Sequence, residues 1–179
     1  MREPRLIGRV EECRKLERCL DRREAQLIVV RGRRRVGKTF LINHFFENGF
    51  DFKLTGEYKA SKAEQLENFV MELNRRTHTK HPTPESWKDA FEMLRAYLST
   101  LPEGEKHIAF FDEMPWMDTP KSGFLKAFEY FWNITEVQRK TLFLLFADPR
   151  RPGLRSILNI TKAACSTEKP AAFFFSRSA

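Results

Sequence analysis

The chain has 179 residues, 41% hydrophobic and 31% charged, a globular composition that excludes fibrous, collagen-like and wholly disordered readings. Its longest apolar run, Leu142 to Ala147, falls far short of the roughly 20 residues needed to cross a bilayer, and Met1-Arg2-Glu3-Pro4 has no apolar signal core behind it, so a soluble, cytoplasmic protein without a membrane partner is expected. Thirty-two Lys+Arg against 24 Asp+Glu give a net charge of +8, which admits nucleic acid, a membrane surface or polyanionic phosphate as partner.

In chain order, Leu6-Ile7-Gly8-Arg9 precedes a charged helix whose Val10, Cys13, Leu16 and Leu20 recur at i+3/i+4. Cys13 and Cys19 do not share a face of it, and with Cys165 they make an odd total without zinc spacing, so free thiols in a reducing compartment are expected. Gln26 to Val30 is short, apolar and β-branched, the pattern of a buried parallel strand. Gly32 to Thr39 reads as a loop, Phe40 to Phe46 as the helix after it, and Phe50 to Leu54 as a second strand. Two amphipathic helices follow, Lys62 to Thr77 with Leu66, Phe69, Val70 and Leu73 inward, and Ser86 to Ser99 with Trp87, Phe91, Leu94 and Leu98 inward. His107 to Phe111 is another buried strand, delivering Asp112-Glu113 at its carboxyl end, and Gly123 to Trp132 is an aromatic-rich helix. Alternating strands and helices predict an α/β fold, a three-layer αβα sandwich on a mainly parallel sheet, with ligands beyond the carboxyl ends of its strands.

Gly32-Arg33-Arg34-Arg35-Val36-Gly37-Lys38-Thr39 matches G-x-x-x-x-G-K-[ST] between an apolar strand and a helix, the context that gives this motif its meaning. The glycines let backbone N–H groups turn in around phosphate oxygens, and the helix directs its positive end at the same charge. Lys38 is then the bridge between β- and γ-phosphates, and the Thr39 hydroxyl a ligand for Mg²⁺. Arg33, Arg34 and Arg35 are either solvated loop charges or groups that steer and hold phosphate. Asp112-Glu113, ending a hydrophobic strand, supplies the second half of such a site, with Asp112 holding Mg²⁺ through water and Glu113 accepting a proton from the attacking water. His44, His78, His81 and His107 lack ligand spacing and read as surface or packing residues, and Asp118 and Glu129 read as solvent-facing.

These segments, with Phe110-Phe111-Asp112-Glu113-Met114-Pro115-Trp116 and Phe128-Glu129-Tyr130-Phe131-Trp132-Asn133, together resemble the prokaryotic AAA-like P-loop ATPases of the STAND-related group, whose members often carry a C-terminal nuclease-like domain. The resemblance spans Leu6 to Asn133. It implies that Ile7, Gly8 and Arg9 lie near the adenine, that Gly32 to Thr39 hold the phosphates of ATP, that Lys38 and Glu113 are catalytic, and that Thr39 and Asp112 bind Mg²⁺. Any nucleic-acid partner would be met through the C-terminal domain of such proteins.

After Asn133 the chain leaves the pattern. Where the family carries a strand ending in C-G-S-A-T-S-W, this sequence has Ala147-Asp148-Pro149-Arg150-Arg151-Pro152-Gly153. Two explanations are open, a diverged last strand and helix or the loss of one nucleotide after the Asn133 codon; the second is favoured, because in the displaced frame Leu142 to Gly153 permits L-V-F-I-V-C-G-S-A-T-S-W, and Thr161 to Glu168 and Ala171 to Ser178 permit further family-like segments. The expected organisation is thus an N-terminal part of an AAA-like ATPase domain over 1–133 and an aberrant shifted-frame tail over 134–179. The sheet would then be incomplete at its C-terminus, and stability low. Three functions follow as expectations: an Mg-dependent ATPase, a nucleotide-binding fragment without turnover, and, from another class, a basic nucleic-acid-binding module. The tail holds eight Lys+Arg against three acids, a balance of +5, leaving +3 for the family-like part. The basic excess is therefore mostly a property of the tail, and the meaningful positive charge is that of the phosphate loop.

Overall fold

The computed structural model describes residues 9–22, 25–32, 36–47, 49–136, 141–147 and 171–175. In chain order these form α1 (Val10–Asp21), β1 (Gln26–Gly32), α2 (Lys38–Phe45), β2 (Phe52–Thr55), α3 (Lys62–Thr77), α4 (Trp87–Thr100), β3 (His107–Asp112), a 3-10 turn (Met114–Trp116), α5 (Phe124–Glu136), β4 (Thr141–Ala147) and β5 (Ala171–Phe175).

The five strands make one sheet in the order β2-β3-β4-β1-β5, and every pairing is parallel. Side chains alternate across a strand, so each inner strand feeds two cores. Leu27 and Val29 of β1, Phe52 and Leu54 of β2 and Ala109 and Phe111 of β3 join the buried faces of α3, α4 and α5. Ile28, Val30 and Phe110 point the other way, onto Leu16 and Cys19 of α1 and Leu41 and Ile42 of α2. The result is the expected three-layer αβα sandwich. The aromatic stripes of α3, α4 and α5 are core, with Phe91 stacked on Phe131 at 5.0 Å and Trp87 edge-on to Phe124 at 4.8 Å. Burying side chains of this size contributes about 1.5–3 kcal/mol each.

Two starts differ from the sequence reading. The helix after the loop begins at Lys38, because Gly37 in the left-handed region (φ 78°) caps it and its carbonyl accepts from the Leu41 amide at 2.9 Å. Strand β2 begins at Phe52, because the Asp51 side chain, 2.6 Å from the Ile108 amide, takes a place that a ladder carbonyl would fill. Asp51 also meets His107, whose Nδ1 is 3.1 Å from Asp51 Oδ1 and whose Nε2 is 2.8 Å from the Pro102 carbonyl. His107 is therefore a buried packing residue at the end of the sheet remote from the phosphate loop.

The expectation of a sheet lacking its last strand is corrected. Thr141–Ala147 lies between β1 and β3, and Ala171–Phe175 pairs with the other edge of β1, with Val30 opposite Phe173 and Gly32 opposite Phe175. Strand β1 is buried, so its backbone N–H and C=O groups need a partner strand on each side, and two apolar runs rich in Phe and Leu supply them. Phe173 to Phe175 thus belong to a sheet strand.

Candidate functional site

The site forms where the carboxyl ends of β1 and β3 flank β4. Leu145 of β4 pairs with Val29 on one side and Phe111 on the other, so the loop after β1 and the acidic pair after β3 leave the sheet at one level. On the β1 side, Gly37 needs no special room, since nothing lies within 4 Å of where a Cβ would stand. Its positive φ is what requires glycine. No side chain caps α2 and no acidic residue lies in its first turn, so its N–H groups and positive dipole end face the loop. Lys38 and Thr39 occupy that first turn.

On the β3 side, Asp112 is buried, at 6% exposure, and both its oxygens are engaged. Its Oδ2 accepts from the Thr39 hydroxyl at 3.1 Å and its Oδ1 from the Glu113 amide at 2.9 Å. Burial pushes its carboxyl above the ordinary value of 3.8, against the hydrogen bonds from Thr39 and Glu113 and the nearby Lys53 charge, which act to lower it. Glu113 follows in the left-handed region (φ 51°, ψ 37°) and opens the 3-10 turn. A non-glycine residue there costs on the order of 1 kcal/mol, held by the surrounding structure. Hydroxyl and carboxylate oxygens are the hard donors that Mg²⁺ takes, so the Thr39–Asp112 pair fits that ion.

Arg9 lies against the phosphate loop. Its Nη2 donates to the Val36 carbonyl at 2.8 Å and its Nη1 to Glu12 at 3.0 Å, so it braces the backbone of the phosphate loop. Gly32 ends β1, Gly37 caps α2, Lys38 and Thr39 open it, and the Thr39–Asp112 contact brings this turn to Asp112 and Glu113, whereas Ile7, Gly8, Arg33, Arg34 and Arg35 lie outside the described residues. Asp118, read as solvent-facing, is half-buried, and burial raises its carboxyl; its amide closes the turn onto the Met114 carbonyl at 3.2 Å. Glu129 is exposed, as expected, and Cys13 and Cys19 are free thiols raised by burial. Among the described residues no cluster of three metal-ligating side chains occurs and no helix is long and apolar enough to cross a membrane.

Two residues that the sequence reading passed over also shape the site. Gly56, after β2, donates its amide to the Asp112 carbonyl at 2.9 Å, and a Cβ there would stand 2.5 Å from the Glu113 carbonyl oxygen. Gln65 of α3 is buried and bonded to the turns on either side of Glu113. Its signal in the sequence is a long polar side chain on the stripe that continues through Phe69 and Leu73.

A family model for an AAA domain matches residues 21–158, more than half of the chain, including the phosphate loop and the acidic pair Asp112-Glu113. The chain belongs to the AAA domain family. This AAA domain is 52% identical over 42 residues to an uncharacterized ATP-binding protein of Methanocaldococcus jannaschii, a stretch that is 24% of this chain and 71% of that protein. Its fold is that of the Walker-type ATPase of Pyrococcus abyssi (TM-score 0.58, 18% identity, 93% of this chain and 52% of that one). Drosophila ORC, solved bound to DNA, is similar in the same sense (TM-score 0.58, 14% identity, 88% of this chain and 45% of that one). The AAA domain therefore spans about half the length of the solved structures it resembles, and at these identities the likeness is one of fold.

Proposed function

We propose that this AAA domain binds ATP with Mg²⁺ at the loop Gly32 to Thr39 and hydrolyses it with water activated by Glu113. The observation that carries the reading is the contact between Thr39 and Asp112, which joins a phosphate loop and an acidic strand end into one oxygen-lined site. The loop amides and the first turn of α2 receive the phosphates, and the Lys38 ammonium meets the β- and γ-oxygens. Thr39 and Asp112 hold Mg²⁺, which neutralises charge on the phosphates when bound. Glu113 takes a proton from water as its oxygen bonds to the γ-phosphorus and the bond to the β-phosphate oxygen breaks, leaving ADP and phosphate. The M. jannaschii relative named for ATP binding supports the choice of nucleotide.

Titration with ATP and Mg²⁺ tests the binding step. Replacement of Lys38 by Ala is expected to weaken ATP binding about 100-fold through loss of charge-assisted hydrogen bonds, and an unchanged affinity would refute the assignment. A diffuse nucleic-acid surface, by contrast, would hardly register the loss of one lysine.

A second reading, binding without turnover, is favoured by one sequence observation. Strand β4 runs into Asp148-Pro149-Arg150, where the resembling family carries a polar sensor. We further propose that 134–179 is a shifted-frame tail on an ATPase domain over 1–133. That such a tail still enters the sheet has a coding reason. Phe codons, and two of the six Leu codons, begin with two uracils, so a triplet displaced by one base keeps uracil in the middle, and a middle uracil encodes an apolar residue. A run rich in Phe thus stays largely apolar in either frame, whereas the polar residues after it do not survive.

A further inference from the structure

Gln65 is the one buried amide side chain on the described part of α3, and its partners are all backbone atoms of two turns. Its Oε1 accepts from the Glu57 amide at 3.1 Å, and its Nε2 donates to the Glu57 carbonyl at 2.8 Å and to the Trp116 carbonyl at 3.2 Å. Glu57 follows Gly56 in the turn after β2, and Trp116 ends the 3-10 turn that begins after Glu113. Those turns touch Glu113 directly. The Trp116 amide donates to the Glu113 carbonyl at 2.9 Å, and Gly56 lies against the same carbonyl while its amide holds Asp112.

We infer that Gln65 is a positioning residue for Glu113, its amide joining the turn after β2 to the turn after β3 and so fixing the left-handed backbone that carries the Glu113 carboxylate. The inference rests on the hydrolytic role proposed for Glu113. Three features favour positioning over simple packing. The side chain spans two segments 59 residues apart in sequence, Glu57 and Trp116, rather than completing its own helix. Its anchor is fixed, because α3 starts in a capping box of Ser61 and Glu64, with Ser61 Oγ 3.3 Å from the Glu64 amide and Glu64 Oε2 2.7 Å from the Ser61 amide. And what it restrains is a φ of 51° at a glutamate, a conformation that relaxes unless its neighbours hold it. Tyr58, 61% exposed, reaches Trp116 edge-on at 4.4 Å across the same seam, but a surface ring contact leaves the backbone freer than three buried hydrogen bonds do.

The test compares Gln65→Leu and Gln65→Glu in the full chain by amide hydrogen exchange, ATP titration and turnover. Gln65→Leu removes all three hydrogen bonds at similar volume, and the amides of Glu57 and Trp116 are expected to exchange about tenfold faster. Gln65→Glu keeps an acceptor for the Glu57 amide but has no donor for the Glu57 and Trp116 carbonyls, so the Trp116 amide, which closes its turn onto the Glu113 carbonyl, is expected to accelerate while the Glu57 amide stays protected. ATP affinity should hold within about twofold, kcat should fall about tenfold, and Gln65→Leu should lower turnover no further in a Glu113→Gln background. Unchanged exchange at Trp116 in both variants would overturn the proposal, as would equal losses of affinity and kcat, or additive losses in the double variant. If the wild-type chain lacks turnover while the exchange pattern appears, the hydrolytic reading fails and the clamp stands.

Discussion

The Thr39 hydroxyl lies 3.1 Å from a carboxylate oxygen of Asp112 although 73 residues separate them, because β1 and β3 bracket β4 and end at the same level. The contact makes one site of the phosphate loop and the acidic strand end, and it sets opposite demands on Asp112. Buried and ionised, the carboxylate costs stability; beside a divalent cation, the same charge is what binds.

Asp112→Asn separates these demands. The amide keeps an acceptor for the Glu113 N–H, and the Thr39 hydroxyl can turn to accept from the new NH₂ group. Thermal stability without ligand is expected to stay level or rise, while the increase in ATP affinity produced by Mg²⁺ is lost. Differential scanning fluorimetry with and without Mg²⁺ reads both, and a fall in unliganded stability with Mg²⁺ dependence intact would contradict the role given to Asp112.

The raised carboxyl of Asp112 also fixes a pH dependence. In the folded chain this group holds its proton to a higher pH than its ordinary value of 3.8, so its favourable contribution is fully present below that value and is lost as pH rises through the raised one. Mg²⁺ competes with the same proton. Affinity for Mg²⁺ with nucleotide should weaken as pH falls through the raised value, approaching about tenfold per pH unit below it for one displaced proton. Isothermal titration across the acidic range would find this slope in the wild type and not in Asp112→Asn.

Gly56 makes the third prediction. A Cβ there meets the backbone carbonyl of Glu113 at 2.5 Å, and backbone cannot step aside as a flexible side chain does. Gly56→Ala is expected to cost about 1–3 kcal/mol by overpacking and to reduce turnover through displacement of Glu113. Urea unfolding measures the first effect and steady-state turnover the second; wild-type values of both would mean that β2 and β3 separate easily at this end.

The shifted-frame proposal is read from the gene. Nucleotides after the Asn133 codon should encode C-G-S-A-T-S-W in the displaced frame across Ala147 to Gly153, and a sequence that cannot do so ends the proposal.

How much of this was legible in the sequence depended on range. The phosphate loop was readable because its glycines, lysine and threonine are close neighbours between two periodic segments. Asp112-Glu113 was readable because a buried strand leads into them. The start of α2 was misplaced by two residues because Lys38 and Thr39 are polar, whereas the backbone is already helical behind Gly37. Arg9 was assigned a role by resemblance, but its place on the Val36 carbonyl follows from the fold. Gly56 leaves no local pattern and Gln65 only a polar residue on an apolar stripe, because each acts on backbone atoms of a segment distant in sequence. The tail misled in the other direction, since apolar runs at 141–147 and 171–175 are enough to extend a sheet whatever their origin.

The most direct test of the central claim is Glu113→Gln, measured for ATP binding and turnover together. The substitution preserves size and removes the proton acceptor, so the account predicts wild-type ATP affinity with turnover reduced by at least about 100-fold, within the range of a lost general base. Equal turnover in wild type and Glu113→Gln would contradict it, and show that whatever hydrolysis occurs does not pass through the acidic pair at the end of β3.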